Sequence, residues 1–181
     1  MNLLNAARAF VATTAATVLL VACSTISHAP VPPLERDAKW VLLPLANQTE
    51  TPQAGLRAEG IVDSVLRSDA GLSLERYPAD VSNDGLFDPA NRKASDAALA
   101  WARTASARYA VTGSVDEWRY KVGIDGEPAV GLTLRIVDVP SGKTIWSATG
   151  GKTGYSREAL SAVAQKLARN LVAPVAASTR R

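Results

Sequence analysis

The sequence predicts an α/β protein: a single compact domain on a mixed five-stranded sheet, in the order β-α-β-α-β-β-β-α, flanked by helices. Two observations carry this. Apolar residues recur at intervals of three and four over 52–68, 92–107 and 156–172, the period of helices with one buried stripe. Between 109 and 149 they alternate instead, in three segments broken by turns that contain Gly and Pro, which is the pattern of an antiparallel meander.

The elements follow in order. Trp40-Val41-Leu42-Leu43-Pro44-Leu45 is a continuous apolar run, expected as a buried strand that ends at its proline. Ala54, Ala58, Ile61, Val62, Val65 and Leu66 then mark a helix, with Pro52 suited to its first turn and Gly71 to its stop. The segment 72–77 alternates and predicts a short second strand, followed by a loop over 79–91 rich in Asp, Asn, Gly and Pro that is placed to make contacts. A second helix over 92–107 carries many alanines, which allow a close approach to the sheet, with Trp101 filling the remaining space. Tyr109, Val111, Gly113 and Val115 share one face of the next strand, after which the apolar phase moves to Trp118, Tyr120 and Val122. That phase change requires a bulge or bend near Asp116-Glu117. Turns at 124–128 and 140–143 separate the remaining strands, over 130–136 and 144–149. A helix from Ser156 closes the domain, with Ser156 as its cap, Glu158 at its positive end and Leu160, Val163, Ala164, Leu167 and Leu171 as its stripe. The tail 173–181 is expected to be disordered.

The amino terminus fixes the compartment. Arg8 precedes an apolar and small-residue run that ends at Leu20-Val21-Ala22-Cys23, the layout of an export signal and too short for a comfortable membrane span, which takes roughly 20 apolar residues. The sole cysteine directly after Leu-Val-Ala resembles the bacterial lipobox, in which that thiol is acylated and the chain is cut before it. Residues 1–22 are thus expected as a lipoprotein signal peptide, Cys23 as the lipidated residue, 23–38 as a flexible tether with three prolines, and 39–172 as the domain. Each buried methylene contributes about 0.8 kcal/mol, so two or three acyl chains hold a protein at a membrane permanently. Ser24, a residue other than Asp after the cysteine, favours the outer membrane by resemblance to Gram-negative lipoproteins. Fifteen tether residues reach at most about 50 Å.

Charge excludes one class of partner. The chain carries 20 Lys and Arg against 17 Asp and Glu, but Arg8, Arg180 and Arg181 account for the whole excess. No basic stripe survives, so nucleic acid is not expected as a partner. Catalysis finds little to work with. The only histidine, His28, lies on the predicted tether and the only cysteine is the acylation site, so Cys/His and Ser/His/Asp nucleophile systems and His/Cys metal sites fail by inventory. No metal or cofactor is expected, and the chain is not expected to be an enzyme. Gly150-Gly151-Lys152-Thr153 lacks the first glycine of a phosphate-binding loop, whose place is taken by Trp146, and is expected as a plain strand-to-helix turn.

Two features remain as candidate sites. Asp116, Glu117, Asp125 and Glu127 lie within twelve residues of one another. They form either a solvated edge partly paired with Arg119 and Lys121 or, in a cyclic oligomer, part of an acidic ring that attracts a cationic polymer. Trp146 alternates with Thr144 and Ala148, not with Ile145, which leaves open whether it packs in the core or is exposed as a membrane-facing residue.

The segments Glu117-Trp-Arg-Tyr120, Asp125-Gly-Glu-Pro128 and Pro140-Ser-Gly-Lys143 with Trp146-Ser147 resemble the PelC family, the outer-membrane lipoproteins of Pel exopolysaccharide export. The resemblance covers the domain, more weakly before residue 100. It implies a compact α/β fold and a homo-oligomeric ring of twelve on the periplasmic face of the outer membrane. There the ring would assist the export barrel PelB in passing the cationic Pel polysaccharide. It further implies Cys23 as anchor, Trp146 as membrane-facing and Asp116 as part of the acidic lining. The competing expectation is a periplasmic lipoprotein that activates a peptidoglycan synthase by protein–protein contact.

Overall fold

The computed structural model describes residues 24–78, 91–123 and 126–179. Six strands form a single sheet: β1 Ser24–His28, β2 Trp40–Asn47, β3 Leu74–Arg76, β4 Tyr109–Tyr120, β5 Pro128–Asp138 and β6 Lys143–Thr153. Among the described residues three helices accompany them: α1 Ala54–Ser68, α2 Asn91–Thr104 and α3 Leu160–Thr179. The strand order is β1-β6-β5-β4-β2-β3, parallel where β2 meets β3 and β4, and antiparallel elsewhere. The mixed sheet expected from the sequence is present, with one strand more than the five anticipated.

The inner face of the sheet packs under α1 and α3. Leu42, Val111, Leu132, Leu134 and Ile136 meet Val62 and Val65 of α1 and Leu167 and Leu171 of α3 in one buried cluster. On the other face α2 covers only the β2–β4 side, where Val41, Leu43 and Ala110 pack with Ala98 and Ala102, and Trp101 stands edge-on to Tyr77 at 5.3 Å. The expected role of the alanines is thereby met. Beyond Ala110 and Val137 this second face carries Thr112, Ser114, Thr133, Arg135, Ser147 and Thr149, none of them buried.

Element ends shift by one to three residues in several places, α1 for example starting at Ala54 and not at Pro52, and four larger differences from the sequence expectation have physical reasons. β2 does not end at Pro44 but runs on to Asn47, because a register shift between Leu42 and Leu45 absorbs the residue that lacks an N–H. The Leu45 N–H donates to Oε1 of Glu59 at 2.9 Å, which places a buried carboxylate on the stripe of α1. Residues 24–28 are not free tether: they add the edge strand β1 to β6, and Ile26 packs against the core. The segment behind them is held by the Trp40 indole N–H, which donates to the Glu35 carbonyl at 3.0 Å. The tail is helical through Thr179, since Val175 and Ala176 continue the buried stripe past Pro174 and the Thr179 hydroxyl donates to the Ala70 carbonyl at 3.3 Å. At its other end α3 starts at Leu160, not Ser156. Arg157 has φ 66°, and Glu158 is taken up in closing the loop by accepting the Tyr155 N–H at 3.1 Å. The expected contact loop lies, for 79–90, outside the described residues.

Candidate functional site: the acidic bulge on the open face

β4 pairs in register with β5 through Val115↔Leu132 and again from Glu117↔Gly131, with Asp116 as the extra residue between them. This is the bulge that the phase change required. Its consequence is chemical, because two consecutive carboxylates now stand on the same open face, where strict alternation would have sent one of them into the core. Gly131 makes room for them. A β-carbon there would stand 3.1 Å from the Glu117 nitrogen and 3.5 Å from the Asp116 β-carbon.

The two acids have different partners. Glu117 is paired with Arg119 at 2.9 Å, and Glu127, just before β5, with Lys121 at 3.8 Å. The solvated, partly paired edge expected for these residues is therefore present at two of them. Asp116 is held by hydroxyls. Its Oδ1 accepts from Ser114 at 2.6 Å and its Oδ2 from Thr133 at 2.7 Å, and the Thr133 hydroxyl lies 2.9 Å from that of Thr149. A carboxylate oxygen has more than one lone pair, so these bonds orient Asp116 and leave it able to accept from a further donor. Among the described residues no cation lies within ion-pair distance of it. The structure brings Asp116 and Glu117 together. Glu127 lies about four residues further along the strands, roughly 13 Å away, and Asp125 lies outside the described residues.

Beside the bulge a shallow depression of about 310 Å³ is lined by Ser27, His28, Thr133, Arg135, Ser147 and Thr149. His28, expected on a mobile tether, is instead on β1 and exposed. The Thr133–Thr149 ladder and the contribution of β1 to this face were not foreseen. The first could have been suggested by the hydroxyls alternating with Leu132 and Leu134. The segment Gly150–Thr153, expected as a turn, lies within β6, and a β-carbon at Gly150 would come within 2.8 Å of the Thr25 carbonyl oxygen.

Trp146 is corrected outright as a membrane-facing candidate. It is 3% exposed and its indole N–H donates to the Ala29 carbonyl at 3.1 Å. Alternation could not settle its face because the β5–β6 register shifts at Ile145: Ile136 pairs with Trp146, but Val137 with Thr144. Trp146 therefore shares the inner face with Ala148, and Thr144 belongs to the other phase. Cys23, the expected anchor, lies outside the described residues.

No protein-family model matches the chain, and neither does any curated sequence. Solved structures do. The PelC dodecamer from Paraburkholderia phytofirmans is 40% identical, with a TM-score of 0.71, over 84% of this chain and 97% of that one. The lipoprotein GNA1162 from Neisseria meningitidis is 19% identical over 77% of this chain and 99% of that one, with a TM-score of 0.53, a likeness of fold alone. The C-terminal domain of LpoB from Salmonella enterica is 16% identical over 67% of this chain and 86% of its own, and its TM-score of 0.46 carries no functional argument. With two residues in five identical along nearly the whole of its relative, the chain belongs to the PelC family.

Proposed function

We propose that this protein is a non-enzymatic lipoprotein, anchored through Cys23 to the periplasmic face of the outer membrane. It assembles as a ring of twelve and guides a cationic exopolysaccharide of the Pel type to its export barrel, a PelB-like partner. The observation that carries this reading is the 40% identity to a PelC dodecamer over 97% of that chain. The acidic bulge supplies a physical means. In a ring, Asp116 is repeated once per subunit, and a circle of carboxylates without cation partners attracts a positively charged polymer along its whole length. Each contact is an exposed, hydrated carboxylate and therefore weak, which suits passage, because a polymer that must leave cannot be held tightly at any one point. Glu117 and Glu127 contribute less to this field, since Arg119 and Lys121 neutralise them locally.

Light scattering on the purified chain tests the assembly: a ring gives a single high-mass species, and a monomer at micromolar concentration overturns it in favour of the synthase-activating reading. Asp116→Asn, which keeps the acceptor oxygen and size but removes the charge, tests the guidance. Secretion of the polymer should fall while the ring and its stability persist. Unchanged secretion removes Asp116 from the path.

A further inference from the structure

Three large apolar side chains are exposed among the described residues: Tyr120 at 51%, Val122 at 102% and Tyr155 at 64%. Single exposed apolar residues are ordinary, but these three are not scattered. Tyr120 ends β4, Val122 begins the turn after it, and Tyr155 stands in the loop after β6. That loop is tied to the β4–β5 end. The Gly154 N–H donates to the Pro128 carbonyl at 2.8 Å, Pro128 pairs with Tyr120, and the Tyr120 hydroxyl accepts the Leu160 N–H at 3.4 Å. The three side chains thus share one rim of the molecule.

The register of β1 supplies the second observation. Ser24 pairs with Lys152, so the described chain begins at this same rim. Cys23 is bonded to Ser24, and successive α-carbons are about 3.8 Å apart. An acyl group on Cys23 would therefore enter the bilayer from this same rim, three strand spacings or roughly 14 Å across the sheet from β4, not from the end of a long tether. The opposite end of the sheet, the turn at 139–142, is ten residues away along β6, roughly 33 Å. It carries no exposed large apolar side chain.

We propose that the rim formed by Tyr120, Val122 and Tyr155 is a membrane-docking surface. It rests in the phospholipid interface with Lys152 and Arg157 toward the headgroup phosphates, and β4, β5 and β6 rise from it into the periplasm. Tyrosine suits that depth, because its ring is apolar and its hydroxyl needs a polar partner, which for Tyr120 the Leu160 N–H and the Glu158 carbonyl already supply. A valine wholly in solvent contributes nothing to the fold but gains from leaving water. Lipid is the occupant that the anchor favours, since an acyl group at Cys23, one residue before Ser24, holds this rim at the membrane surface. The proposal rests on the acylation of Cys23 and replaces Trp146 as the residue that meets the membrane.

The test uses the full chain, purified in its acylated form and carrying Val122→Cys, Tyr155→Cys or Ser141→Cys. The introduced thiol is labelled with an environment-sensitive fluorophore, and the protein is placed in phosphatidylethanolamine–phosphatidylglycerol vesicles with or without spin-labelled lipid. Labels at 122 and 155 should lose emission to the spin-labelled lipid, and the label at 141 should keep it. Equal quenching at all three positions, or none at 122 and 155, overturns the proposal, and the latter result assigns the rim to a protein contact. The wild-type chain is treated with the same label as a control. Labelling of the wild type means a free Cys23 thiol, and that outcome refutes the anchor itself along with the orientation built on it.

Discussion

Replacing Trp146 separates a core residue from a membrane-facing one. Its indole is 3% exposed, stands opposite Ile136 in the β5–β6 register and holds the Ala29 carbonyl at 3.1 Å. Trp146→Phe deletes that hydrogen bond, worth about 1 kcal/mol net. It also removes part of a buried ring, worth about another 1 kcal/mol at roughly 25 cal/mol per Å². Ala29 is only half-buried, so water can reach its carbonyl and the penalty stays near that sum, about 2 kcal/mol in all. Trp146→Ala leaves a cavity as well and should cost about 3–5 kcal/mol. The assay is denaturant unfolding of the non-acylated chain from Ser24 at fixed protein concentration, since assembly contributes to apparent stability. Hydrogen exchange of residues 24–29 is followed in parallel. Faster exchange there in Trp146→Phe shows that the indole pins β1 to the domain. A change below about 0.5 kcal/mol for Trp146→Ala, the range of an ordinary surface substitution, would refute the reasoning and return Trp146 to the surface.

Further perturbations read other parts of the structure. At Gly113 a β-carbon would lie 1.9 Å from the Thr133 carbonyl oxygen, so Gly113→Ala should cost about 3 kcal/mol or more, or prevent folding, in the same unfolding assay. Gly60 on α1 has open space around it, and Gly60→Ala should stabilise by about 0.4–1 kcal/mol. The Glu158 carboxyl is held below its ordinary 4.5, first by the hydrogen bond from Lys166 and then by the Tyr155 N–H. Its contribution to stability is therefore complete above about pH 4.5 and lost as pH falls through the lower folded value. Glu158→Gln should flatten the acid limb of stability against pH, and a limb of unchanged slope would contradict it. Thr133→Val removes the donor to Oδ2 of Asp116 and should lower secretion less than Asp116→Asn does, because the charge survives while its orientation is lost.

Much of this architecture is legible in the sequence because its stripes are long. Helices α1 and α2 and the meander repeat their apolar period over three or more turns or pairs, and the break at Asp116-Glu117 showed as a change of phase. What escaped notice had short or compensated signals. β1 is five residues with one apolar side chain, Ile26, and only the unpaired edge of β6 makes it a strand. Pro44 and Pro174 would each normally end their element. Glu59 supplies the acceptor that lets β2 continue, and the stripe through Val175 and Ala176 outweighs the lost helix bond. Alternation leaves Trp146 undecided because it counts residues, and the irregularity at Ile145 changes the count by one. Of the candidate site, the pairing of acids on one face followed from the bulge. The hydroxyls that hold Asp116 come from two different strands, whose register no local pattern reveals.

Native mass spectrometry of the protein extracted from its own membranes tests the central claim most directly, because one spectrum reports both the assembly and its subunit. A twelve-subunit complex is predicted, ejecting a chain that begins at Cys23 and carries acyl mass on it. A monomer, or a subunit that retains Met1 and a free thiol, would contradict it.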